Sequence, residues 1–249
     1  MIVFNQVTKR RGDRQILRDI AFEARTGRVT GFVGPNGAGK SSCLRILLGL
    51  DRASAGTALI GGQPYASLRR PLTQVGAALG GAGAHPARRA IDHLRWVAAS
   101  NDIPRRRIAQ VLEEVGLSES AKRRVGTFSL GMAQRLGMAT ALLGEPEVLV
   151  LDEPINGLDP EGIRWVRSLV RAHADGGGTV LVSSHVMSEL AEVADDMVVI
   201  GGGQIRASGT MSEVTQGFTS LEEAFFTLTA PTSASAAIST SSPTSESGR

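Results

Sequence analysis

The chain has 249 residues, and its 27 Lys and Arg against 24 Asp and Glu leave a net charge of +3, too small to mark a nucleic-acid partner, which calls for a concentrated basic face. Apolar residues make up 42% and aromatics only 4%, which suits a single α/β domain with a core of Leu, Val, Ile and Ala and argues against an aromatic cofactor cage. The one cysteine, Cys43, excludes an internal disulfide and a thiolate metal cluster and fits a reducing, cytoplasmic setting.

The chain opens with Met1-Ile2-Val3-Phe4-Asn5, which reads as a strand and lacks the basic start and apolar run of a signal peptide. No later stretch approaches the roughly 20 apolar residues that cross a bilayer. A near-continuous apolar run at Arg28–Val33 predicts a strand covered on both faces, as in a parallel sheet. Directly after it, Gly34-Pro35-Asn36-Gly37-Ala38-Gly39-Lys40-Ser41 matches a phosphate-binding loop, and Lys40 to Leu48 continues with helical apolar spacing. Strand, glycine-rich loop and helix in this order aim successive backbone N–H groups and a helix N-terminus at phosphate; Lys40 then reaches the β- and γ-phosphates and Ser41, followed by Ser42, can hold Mg²⁺. Gly80-Gly81-Ala82-Gly83 is not a dinucleotide fingerprint, because the later glycine is missing and Pro86 intervenes.

Residues 84 to 144 carry helical patterns and no convincing strand, with Pro104 suited to a first turn and Gly116 to a helix end, so this segment reads as an inserted helical subdomain. Basic pairs and triplets at Arg10-Arg11, Arg69-Arg70, Arg88-Arg89, Arg105–Arg107 and Lys122–Arg124 read first as solvated faces and second as a docking surface. Val148–Leu151 predicts a second buried strand, and it runs into Asp152-Glu153-Pro154. At the carboxyl end of a parallel strand these acids are placed where ligands collect: Asp152 to hold Mg²⁺, Glu153 to polarise the attacking water. Glu161 to Ala174 is an amphipathic helix. A third strand, Thr179–Ser183, leads to His185, which there can sense the γ-phosphate; Ser183 and Ser184 lack the Gly-x-Ser-x-Gly elbow of a hydrolase. From Ala230 to Arg249 the chain is almost all Ser, Thr, Ala and Pro and is expected to be a disordered tail.

Taken in order, the phosphate loop, Phe128-Ser129-Leu130-Gly131-Met132-Ala133-Gln134-Arg135, the Asp152-Glu153 strand, Asn156-Gly157-Leu158-Asp159 and His185 resemble the ATP-binding subunit of an ABC transporter, of the antibiotic and multidrug exporter type, from about Ile2 to about Thr229. The resemblance implies a P-loop NTPase core with a mostly parallel sheet, an N-terminal antiparallel part and the inserted helical subdomain, in one ATP-binding domain over residues 1–229. It implies ATP and Mg²⁺ as ligands, Glu153 and His185 as catalytic, and a separate membrane permease that brings the chain to the inner face of the membrane. It also implies a second ATP-binding subunit, as a homodimer, in which Ser129 and Gly131 of one chain close on the ATP held by the other, with Asp159 at the seam.

Two positions depart from the family pattern. Arg11 stands where the family usually has an adenine-stacking aromatic; a guanidinium plane can also stack on a base. Gly80 stands where the family has a glutamine, which puts in question one Mg²⁺ contact and the link to the permease. The competing readings are a non-transport ABC protein, which resembles tandem ATPase domains or carries long coiled-coil insertions not seen here, and a weakly hydrolytic regulatory module that binds ATP. A GTPase would need an Asn-Lys-x-Asp type base-reading segment, and none is present.

Overall fold

The computed structural model describes residues 1–230; apart from Ala230, the segment expected to be a tail lies outside the described residues. In chain order the elements are β1 (Ile2–Arg11), β2 (Arg14–Ala24), β3 (Val29–Val33), α1 (Lys40–Leu47), β4 (Ala55–Ile60), α2 (Pro71–Gln74) and β5 (Val75–Ala78). Then follow α3 (Ala90–Ser100), α4 (Arg106–Glu114), α5 (Leu130–Leu142), β6 (Val148–Asp152), α6 (Pro160–Asp175), β7 (Thr179–Ser184), α7 (Met187–Ala191), β8 (Asp196–Gly201), β9 (Gln204–Thr210), α8 (Met211–Thr215) and α9 (Leu221–Thr229).

The strands form two sheets. One is antiparallel, in the order β2-β1-β4; the other runs β5-β6-β7-β3-β8-β9, parallel except for the last pair. In the larger sheet β3 lies between β7 and β8 with five residues all buried, which is why its sequence is mostly apolar rather than alternating, with Thr30 its one polar side chain. The pleat then sorts side chains by parity. Val148, Val150, Leu181 and Val198 join Phe4, Phe22, Leu44 and Leu47 in the core under the antiparallel sheet, with Phe22 stacked on Phe4 at 4.5 Å and tilted against Phe32 at 5.2 Å. Leu149, Leu151, Val180 and Val182 face the other way, into the core shared with α3 to α6. Strands β3, β6 and β7 therefore end together, and the loops that leave their carboxyl ends meet.

The segment between β5 and β6 supplies α3, α4 and α5. Helix α4 starts at Arg106 rather than at Pro104, because Arg105 is its N-cap, and it stops before Gly116, whose φ of 69° ends the turn without a Cβ penalty. Not every basic residue is solvated: Arg107 is largely buried, donates to Glu114 and to the Leu142 carbonyl, and lies near Glu145. Among the described residues no helix is long and apolar enough to cross a membrane.

Candidate functional site

The glycine-rich loop bridges β3 and α1, and its shape is dictated by how little room it has. A Cβ on Gly34 would lie 2.3 Å from the Ile200 carbonyl oxygen, and one on Gly39 would lie 2.5 Å from Leu17 Cδ2; Gly39 is also the left-handed N-cap of α1, at φ 114°. Only glycine meets both demands at position 39. The loop is pinned from outside as well, since the Gly34 amide donates to the Ser184 carbonyl and the Gly203 amide donates to the Ala38 carbonyl. The first turn of α1 thus points its free N–H groups into the cleft. Within α1, Cys43 is fully buried and burial pushes its thiol well above the usual range, so it stays protonated and inert.

Three sequence-predicted side chains converge in this cleft. Lys40 is 6% exposed; its Nζ donates to the Gly34 carbonyl at 2.6 Å and lies 3.5 Å from Glu153 Oε1. The other Glu153 oxygen, Oε2, is 2.7 Å from His185 Nδ1. A carboxylate only accepts, so the proton of this contact sits on Nδ1, and Nε2 at the far edge of the ring is left as an acceptor. Pro35, Asn36, Gly37, Gly39, Ser41 and Ser42 line the same cleft, along with Ile16 and Asn156. Asn156 belongs to the 156–159 segment that the sequence marks as a motif, without marking Asn156 itself as a cleft residue; Ile16 is one apolar residue among many in β2 and carries no signal of its own.

Asp152 ends β6 one residue earlier and is partly buried, with Oδ1 accepting a hydrogen bond from the Ser183 hydroxyl. Ser183 also receives the Glu153 amide, on both its hydroxyl (3.1 Å) and its carbonyl (3.2 Å). Its role was not legible in advance, although a fully buried serine at the end of an apolar strand is the kind of residue that needs a polar partner. Among the described residues no three His, Cys, Asp or Glu side chains form a metal cluster. Mg²⁺ suits such a site, since it binds through one or two carboxylates and substrate phosphates with water filling the rest; Ser41 and Asp152 are a donor set of that kind.

The other predicted contacts sit elsewhere on the chain. Arg11 is exposed at the end of β1, paired with Arg14 across the hairpin, and does not line the cleft. Ser129 is the N-cap of α5, its hydroxyl accepting from the Met132 amide at 3.2 Å, and both Ser129 and Leu130 are solvent-exposed. Gly131 faces the 156–159 segment, 3.3 Å from the Gly157 carbonyl oxygen at its would-be Cβ. Asp159 caps α6 by accepting from the Gly162 amide at 2.8 Å. None of these residues lines the cleft of its own chain.

The ABC transporter family model matches residues 17–156. The lantibiotic transport ATP-binding protein SrtF of Streptococcus pyogenes is 35% identical over 225 residues, which cover 90% of this chain and 96% of SrtF. The bacitracin transport ATP-binding protein BcrA of Bacillus licheniformis is 37% identical over 208 residues, covering 82% and 68%. Among solved structures, the ATP-binding subunit of an ABC transporter superposes with a TM-score of 0.83 at 25% identity, covering 92% of this chain and 99% of that one. The dimeric bacterial ABC transporter cassette MJ0796 gives 0.76 at 22% identity over 85% and 99%, a likeness of fold. With its phosphate loop, paired acids and His185 gathered at the carboxyl ends of β3, β6 and β7, the chain belongs to the ABC transporter family as an ATP-binding, ATP-hydrolysing subunit.

Proposed function

We propose that this ATPase powers an exporter of the antibiotic type, through a separate membrane permease and as a dimer of two copies; relatives named for lantibiotic and bacitracin transport support the antibiotic part of this reading. The observation that carries the hydrolytic half is the meeting of Lys40, Glu153 and His185 within 3.5 Å at the mouth of the phosphate loop. Lys40 and the α1 N-terminus bind phosphate charge. Glu153 takes a proton from the attacking water, and His185 holds that carboxylate in place by donating from Nδ1. Mg²⁺, held by Ser41 and Asp152, would neutralise charge on the β- and γ-phosphates.

The second copy follows from what the cleft lacks. Ser129 and Gly131 lie at the start of α5, with Ser129 exposed, Gly131 half-exposed and neither lining the cleft of its own chain, so this helix N-terminus is available to an anion held by a partner. The permease has a candidate seat in a groove lined by the loop 79–83 and α3, where Leu50 is 55% exposed and Trp96 is 59% exposed. Two large apolar side chains open to water in one groove mark an interaction surface rather than a solvated one. That seat would bring the chain to the inner face of the membrane.

The test is co-purification. Co-expressed with a candidate multi-span permease, the chain is expected in the detergent-solubilised membrane fraction, and Trp96→Glu is expected to remove it. ATP-loaded Glu153→Gln is expected to run as a dimer by light scattering, and Ser129→Arg to return it to a monomer. A Glu153→Gln protein that stays monomeric with ATP, alone and with the membrane protein, overturns the composite site.

A further inference from the structure

Glu153 holds a left-handed backbone, φ 51°, a conformation that costs a side-chain-bearing residue about 1–2 kcal/mol. Something must hold it there. Its amide is taken by Ser183. Its carbonyl is taken by the Asn156 amide at 3.2 Å and by a residue from a different part of the chain, Gln134, whose Nε2 donates at 3.0 Å. Gln134 lies on α5, five residues past Ser129, and is 5% exposed. Its other carboxamide atom is also used: Oε1 accepts from the Gly81 amide at 3.1 Å.

Gly81 belongs to the loop after β5 that borders the proposed permease seat. Gly80 and Gly81 have φ of 88° and 62° with nothing near their would-be Cβ positions, so the loop has no side chain to anchor it there. Helix α5 grips it instead: a Cβ on Gly137 would lie 2.3 Å from the Gly81 carbonyl oxygen. Loop, carboxamide and catalytic segment therefore form one chain of hydrogen bonds. The amide group is planar and rigid, so a shift of Gly81 that carries Oε1 carries Nε2 with it.

We propose that Gln134 is a positioning residue for hydrolysis, a buried amide that ties the loop 80–83 to the backbone of Glu153 and so sets where the Glu153 carboxylate stands. It supplies, from the helix that begins at Ser129, an amide link that Gly80 has no side chain to make. The proposal rests on reading Glu153 as the general base.

The test uses the full chain with Gln134→Glu, Gln134→Leu and Gly137→Ala. Gln134→Glu keeps the shape and the acceptor for Gly81 but turns an acceptor toward the Glu153 carbonyl. Rates are measured per nucleotide site, titrated with a fluorescent ATP analogue, so misfolded material drops out. Both Gln134 variants should lower kcat about ten- to hundredfold, the scale of a misplaced catalytic group, while KM for ATP stays within about twofold, because the phosphate loop is untouched. Gly137→Ala, which displaces Gly81 with Gln134 intact, should lower kcat in the same sense. Because Gln134 acts through Glu153, the double variant Gln134→Glu/Glu153→Gln should be no slower than Glu153→Gln alone. An unchanged kcat in Gln134→Glu, or a loss that appears in KM instead, overturns the proposal. If Glu153→Gln itself hydrolyses normally, the base assignment falls; if it is silent while the Gln134 variants turn over normally, only the positioning role falls.

Discussion

Glu153→Gln exchanges a carboxylate for an amide of the same shape, and the geometry gives it two opposed effects. Glu153 Oε1 lies 3.5 Å from Lys40 Nζ, where a pair of unit charges attract by about 1 kcal/mol in water and about 5 kcal/mol at an effective dielectric of 20. The Glu153 side chain is 23% exposed, so solvent screening favours the lower figure. Incoming phosphates must draw Lys40 away from this carboxylate and also meet its negative charge. Removing the charge should therefore tighten ATP binding by about 1 kcal/mol, roughly fivefold. Turnover should move the other way, falling by about 10²- to 10⁴-fold with the loss of the base. Calorimetric titration of ATP without Mg²⁺ measures the first effect and phosphate release at saturating MgATP the second. Lys40→Ala should lose ATP binding in either background. Binding that weakens or stays the same in Glu153→Gln would refute the competition for Lys40, and near-normal phosphate release would refute the general-base role.

Arg28 grips Asp196 with two hydrogen bonds, at 2.7 and 2.8 Å, and Asp196 is almost fully buried; Arg28→Ala should cost about 2 kcal/mol in urea unfolding, less than a fully buried pair because Arg28 is one-third exposed. A loss under about 0.5 kcal/mol would show that solvent replaces the guanidinium freely. Burial, and then the charge of Arg88, hold the His93 imidazole below its ordinary pKa, so the unfolded chain binds that proton more tightly than the folded one. Its contribution to stability is complete above the unfolded value of about 6.5 and is lost as pH falls below it. The melting temperature should drop between pH 7.5 and 5.5, and His93→Gln should make that drop shallower; an unchanged slope would sink the assignment.

Local chemistry made much of this protein legible from its residues in order. Parallel strands covered on both faces are mostly apolar, so the runs in β3, β6 and β7 announce themselves, and a loop that wraps phosphate must be glycine-rich and followed by Lys40 and a hydroxyl. Those constraints act within ten residues of chain, and a linear reading sees them. Strands β2, β4 and β9 carry mixed polar and apolar residues because each has an exposed side, so their sequences signal less.

The sequence determined which groups could do chemistry: Lys40, Ser41, Asp152, Glu153 and His185. The tertiary structure decided how they are shared. That Glu153 divides its two oxygens between Lys40 and His185 and that Ser183 serves Asp152 and Glu153 together both depend on the strand order β6-β7-β3. Gln134 is the sharpest case. In the sequence it is one polar residue inside a helix motif; its two partners, Gly81 and Glu153, lie 53 and 19 residues away, and only the packing of α5 against the end of the sheet brings one buried amide within reach of both.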